Sequence, residues 1–109
     1  MALLDALQEI ALRLPQAEVG VACAGTAQEK RTVKARGKAF LFLGPADAML
    51  KLGPSLPEAS ERAAREPGRY KVGAHGWVTV TTDGEAPLDL LERWIEESYR
   101  VVVRPPSRG

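Results

Sequence analysis

The stretch Glu29 to Leu43, EKRTVKARGKAFLFL, constrains the fold more than any other part of the chain. Two β-prone runs, Arg31–Ala35 and Lys38–Leu43, flank Arg36-Gly37. That pair suits a two-residue hairpin turn, because glycine tolerates positive φ there. Such a hairpin commits its strands to antiparallel pairing. Further β-prone runs follow at Ala48–Leu52, Tyr70–Val72 and Trp77–Thr82, the last with β-branched alternation in WVTVTT. Gly44-Pro45, Gly53-Pro54, Pro67-Gly68 and Asp83-Gly84 punctuate them.

Helical periodicity occupies the rest. Leu3, Leu4, Leu7, Ile10, Ala11 and Leu14 recur at three and four residues and stop at Pro15. Gln16 to Gln28 is small and weakly patterned, a connection with room for a short strand. Ser55 or Pro57 opens a second helix that runs to about Arg65. Pro87 starts a third, with Leu88, Leu91, Ile95 and Val102 as its buried stripe and Trp94 and Tyr99 at the flanks. Glu58 with Arg62, Glu61 with Arg65, Asp89 with Arg93 and Glu96 with Arg100 sit four apart, acid first, as on a solvated helix face. The order of helix, strands, helix, strand, helix predicts an α+β domain in two layers, an antiparallel sheet with helices packed on one face. The 109 residues suit one domain, residues 1–104, with 105–109 as a disordered or extended tail.

Bulk properties narrow the function classes. A net charge of +1 and a pI of about 7.9 argue against a polyanion binder that is basic all over. Any nucleic-acid reading has to rest on local clustering, and five of the nine residues from Lys30 to Lys38 are basic. The lone Cys23 excludes an internal disulfide and a Cys-based metal site, which suits a reducing cytoplasm. MALLDALQEIALRL carries Asp5, Glu9 and Arg13 at helical spacing and lacks the basic start of a signal peptide. No apolar run reaches the length of a membrane span, so no membrane partner is expected.

Three segments line up with a known family: VKARGKAFLFL, the strand-starting tryptophan of HGWVTV, and LLERWIEESYRVV near the end. Together they resemble the YjbR/MmcQ family of small bacterial proteins over nearly the whole chain. The ESYRVV segment, Glu97 to Val102, is the most specific, since members close on a helix with a Ser-Tyr pair followed by aliphatics. The pair falls on Ser98 and Tyr99. The resemblance implies a two-layer α+β fold and a DNA-binding label, given through likeness to a double-wing DNA-binding architecture. It supplies no catalytic residues. The Pro- and Gly-rich link from Gly53 to Gly76 departs from the family pattern.

The residues themselves offer two functional readings. If Arg36-Gly37 is the turn, Lys34 faces Ala39, Thr32 faces Leu41 and Val33 faces Phe40. Val33, Phe40 and Phe42 then form the core face. Lys30, Thr32, Lys34, Leu41 and Leu43 form the other, with Lys38 near the tip. Lys30, Lys34, Arg36 and Lys38 could follow a DNA backbone, joined by Arg69 and Lys71 from a second basic segment, with phosphate contacts that do not read sequence. Against this stands the ordinary use of lysines to protect an exposed strand from edge pairing. The second reading is a protein partner or homodimer on an uncovered sheet face bearing Leu41, Leu43 and part of WVTVTT. The loop 46–52 covering that face is its alternative.

Catalysis finds only thin support, and a metal site or cofactor little more. His75 and Cys23 carry no local signature for a nucleophilic pair, and they read as a loop residue and a small buried apolar residue. The helical carboxylates alternate with arginines as solvated faces. One histidine and no acidic cluster are too few ligands for a metal. GAHG, Gly73 to Gly76, matches a bare GxxG phosphate-clamp pattern but runs into a strand, so it reads as a flexible lead-in. Tyr99 reads as a packing residue whose hydroxyl bonds backbone.

Overall fold

The computed structural model describes residues 3–22, 30–44, 46–82 and 87–103. Cys23 and the tail 105–109 lie outside the described residues. Helix α1 (Leu3–Leu12) leads into strand β1 (Ala17–Ala22), then β2 (Lys30–Ala35), β3 (Lys38–Leu43) and β4 (Asp47–Lys51). Helix α2 (Leu56–Arg65) connects to β5 (Tyr70–Val72) and β6 (Trp77–Thr81), and α3 (Leu88–Val102) follows. The six strands form one antiparallel sheet in the order β1-β2-β3-β4-β6-β5. All three helices lie on one side, so the α+β two-layer architecture is as expected.

AEVGVA is a full strand rather than a loop with a short extended piece. It pairs with all six residues of β2, from Ala17 opposite Ala35 to Ala22 opposite Lys30. The β2–β3 turn does fall on Arg36-Gly37. Both residues hold positive φ, 55° and 81°, as a two-residue hairpin matched to strand twist requires.

The register of that hairpin differs from expectation. Lys34 faces Ala39, but Val33 faces Leu41 and Thr32 faces Phe42, because a β-bulge at Phe40 adds one residue to β3. Every residue beyond the bulge changes face. Leu41 and Leu43 therefore lie in the core, at 0% and 3% exposure, and Phe42 turns to the open side. An open-face patch of Leu41 and Leu43 does not exist.

The core gathers Val33, Phe40, Leu41, Leu50, Val78 and Val80 from the sheet with Leu7, Leu91, Trp94 and Ile95 from the helices. Trp94 is fully buried rather than flanking, edge-on to Tyr70 at 5.9 Å, while Leu88 is 40% exposed. The buried stripe of α3 thus runs through Leu90, Leu91, Trp94, Ile95 and Ser98.

The Ser-Tyr pair anchors α3. Tyr99 lies edge-on to Phe40 at 5.2 Å and donates its hydroxyl to the Pro15 carbonyl at 2.9 Å. Ser98 sits where the β3–β4 ladder should continue. Leu41 faces Leu50, so the next rung would join Phe40 and Lys51. Instead the Ser98 hydroxyl accepts from Lys51 N at 2.9 Å and donates to Phe40 O at 2.6 Å. Beside it, Glu97 holds the β4–α2 loop, accepting from Gly53 N at 2.9 Å, Ser55 N at 2.8 Å and Ser55 Oγ at 2.7 Å. Burial pushes the Glu97 carboxyl up, but those bonds and nearby Arg100 outweigh it and hold it below the ordinary value.

Candidate functional site

The face of the sheet turned away from the helices carries the candidate site. Alternation along the strands sends Phe42, Met49, Trp77 and Thr79 to this side, all half-buried. Phe42 lies edge-on to Trp77 at 5.7 Å, and Met49 is its cross-strand neighbour. Together they floor a groove of about 540 Å³, with Lys71, Ala74 and His75 on its rim. Lys51 stands opposite Trp77 on β4, its ammonium 5.9 Å from the ring centroid.

The β5–β6 connection shapes one wall. GAHG is a tight turn rather than a flexible lead-in, closed by Gly73 N donating to Trp77 O at 2.7 Å. His75 and Gly76 both hold positive φ, 60° and 86°. The turn is tied to the sheet because Gly76 O accepts from Leu52 N at 2.8 Å. A Cβ at Gly76 would lie 2.6 Å from Leu52 O, so only glycine fits.

The six basic residues read from sequence do not form one stripe. Lys30 opens β2, and its side chain lies outside the described set. Lys34 is on the open face but leans toward the β1 edge, where a Cβ at Gly20 would lie 3.1 Å from its Cε. Its cross-strand neighbour is Glu18. Arg36 and Lys38 are exposed at the hairpin tip. Arg69 is only 16% exposed and committed, with Nε 3.5 Å from Glu66 Oε1 and Nη1 donating to Thr81 O at 3.4 Å. Lys71 is exposed beside the groove. The β3, β4 and β6 strands separate β2 from β5, about 19 Å at the usual interstrand spacing. Arg31 leaves the open face altogether, donating to Gln8 Oε1 at 3.0 Å and Asp5 Oδ1 at 3.4 Å on α1.

Charge is sorted between the layers. Arg13, Arg31, Arg62, Arg65, Arg93 and Arg100 each lie within 4.0 Å of a carboxylate on a helix. Three of the four pairs expected at helical spacing form; Arg93 instead reaches across to Glu58 on α2. Among the described residues, no ion pair involves Lys34, Arg36, Lys38, Lys51 or Lys71. Nor do three His, Cys, Asp or Glu side chains gather as metal ligands among them.

Comparison with known proteins fits this architecture. The YjbR family model matches residues 12–101. The chain belongs to the YjbR family. A crystal structure of a Deinococcus radiodurans protein with a DUF419 domain superposes with a TM-score of 0.75 at 23% identity, covering 100% of this chain and 84% of that one. That likeness establishes the fold of this YjbR protein. No curated protein matches the chain. No helix among the described residues is long and apolar enough to cross a membrane.

Reading the sequence alone missed Met49 and Lys51 and put Phe42 on the wrong face. One signal was available: Trp77, at the head of an alternating strand, shares its parity with Thr79 and Thr81. That placed a large aromatic on the polar side of WVTVTT.

Proposed function

We propose that this protein is a non-catalytic nucleic-acid-binding module that contacts its ligand with the open face of the sheet. One observation carries the reading: lysines without carboxylate partners flank a pair of half-buried aromatics on the one uncovered face. Lys71 lines the groove and Lys51 stands over Trp77, with Lys34 farther along the same face and Arg36 and Lys38 exposed at the hairpin tip. Cations that track phosphates, interleaved with rings on which bases stack, are the requirements for binding unpaired strands without sequence preference. The DNA contact expected of the basic hairpin becomes secondary here, since its tip lies away from the aromatics and Arg69 is already engaged.

The test is fluorescence anisotropy of labelled single-stranded and duplex oligonucleotides at about 50 and 200 mM salt. Saturable binding that favours the single strand and weakens steeply with salt is expected. Lys51→Glu with Lys71→Glu should abolish it, and Lys34→Glu with Lys38→Glu should only reduce it. No binding of either oligonucleotide at low salt and high micromolar protein would end the proposal.

The groove floor favours a second reading, a protein partner or homodimer seated on Phe42, Met49 and Trp77. There, Met49→Asp should disrupt association seen by light scattering, and the lysine reversals should not. Leu41→Asp cannot serve as that probe, because Leu41 is fully buried and its loss would unfold the sheet.

A further inference from the structure

The open face holds two adjoining clefts of opposite chemistry. The apolar groove on Phe42, Met49 and Trp77 meets a smaller polar cleft of about 310 Å³ that contains Asp47, Arg69 and Thr81. Lys71 and Thr79 line both. Trp77, Thr79 and Thr81 follow one another on this face about 7 Å apart, two residues of strand per step.

What the polar cleft offers a ligand follows from what is already used. Arg69 is spent on Glu66 and the Thr81 carbonyl. The Thr81 hydroxyl donates to Gly68 O at 3.1 Å, which leaves its lone pairs. The Asp47 carboxylate makes no hydrogen bond or ion pair among the described residues, though it is half-buried. The cleft therefore presents open acceptors, the Asp47 carboxylate and the Thr81 hydroxyl, beside the cations of Arg69 and Lys71. Those open acceptors call for a group with hydroxyl donors. Lys71, exposed at the junction, is the cation within reach of both clefts.

A ligand that satisfies all three parts has a flat ring, a hydroxyl-bearing middle and an anion. We infer that the paired clefts take a single ribonucleotide unit. Its base lies on the Phe42–Met49–Trp77 floor, its ribose hydroxyl donates to Asp47, and its phosphate meets Lys71. The inference rests on the nucleic-acid reading above and adds selection of ribose over deoxyribose, since the 2′-hydroxyl is what separates RNA from DNA at a site.

The chain's two tryptophans make the test direct, because Trp94 is fully buried and Trp77 floors the groove. Adenosine 5′-monophosphate, its 2′-deoxy form and adenosine are titrated into the full chain while the two indole N–H resonances are followed. The ribonucleotide should shift the Trp77 signal saturably and leave that of Trp94 in place. The deoxynucleotide should bind about tenfold more weakly, the scale of one hydrogen bond to a charged group. Adenosine should bind weakly for want of phosphate. Asp47→Ala should reduce the ribonucleotide to the level of the deoxynucleotide, and Lys71→Gln should weaken both alike. If Asp47→Ala does not fold, the ratio of the two nucleotides on the unaltered protein decides. Equal binding of the two overturns the inference. So does an unmoved Trp77 signal while a single-stranded oligonucleotide still binds, and in that case the nucleic-acid reading survives. Failure of mononucleotide and oligonucleotide together ends both.

Discussion

Replacing Ser98 with alanine removes one oxygen atom and strands two backbone groups. The hydroxyl occupies the rung between Phe40 and Lys51, and Ser98 itself is fully buried. Without it the Phe40 carbonyl has lost its donor in the interior, which costs about 1–3 kcal/mol. The Lys51 N–H is only partly buried, so water recovers some of its loss and it adds about 0.5–1 kcal/mol. The strands cannot simply close to remake the ladder bond, because the bulge at Phe40 and the ring of Tyr99 against it fix the local backbone. Ser98→Ala should therefore cost about 2–3 kcal/mol, a large share of the ~5–15 kcal/mol that holds a domain folded. Urea unfolding should show a lowered midpoint with an unchanged slope. Hydrogen exchange should show selective loss of protection at the Lys51 amide. A cost below about 0.5 kcal/mol with that amide still protected would refute the bridging role, since it would mean the ladder closes without the hydroxyl.

Three further substitutions test the loops and the α3 anchor. Gly76→Ala should cost about 2–3 kcal/mol, because a left-handed backbone and a 2.6 Å approach to Leu52 O oppose any side chain. Gly68→Ala, with nothing within 4 Å of its Cβ, should stay within about 0.5 kcal/mol by thermal melting. Glu97→Gln should cost about 1–2 kcal/mol at neutral pH by weakening three hydrogen bonds to a charged acceptor. Because the folded-state value lies below the ordinary 4.5, the stabilisation is present above 4.5 and is lost as pH falls through the lowered value. The two proteins should therefore converge in acid unfolding, and a gap that stays constant with pH would contradict the assignment.

Particular residues show why the fold was legible in the sequence and the site was not. The Arg36-Gly37 turn, the punctuation by Gly and Pro, and the leucine spacing of α1 are local signals, and they were enough for an antiparallel sheet under helices. AFLFL carries no alternation, since four large apolar side chains follow one another. Nothing in it marks where a bulge enters, so the face assignments of Leu41, Phe42 and Leu43 came out inverted. AEVGVA does alternate, but its residues are too small to stand out. The basic cluster was legible as composition, yet its fate depended on distant partners: Asp5 and Gln8 draw Arg31 to the helices, and Glu66 engages Arg69. The groove itself needs Phe42, Met49 and Trp77 from three strands, which only the completed strand order brings together.

The sorting of charge between the layers bears on how fast a ligand arrives. A chain of net charge +1 should feel little average pull toward a polyanion. Yet the helical carboxylates are largely matched by six arginines, whereas Lys51 and Lys71 beside Trp77 have no ion pair among the described residues, which leaves positive charge concentrated on the sheet side. In the field of a nucleic acid such a molecule turns before it touches, and it presents its lysine side first. Its encounter rate would then depend on ionic strength far more than its isoelectric point suggests.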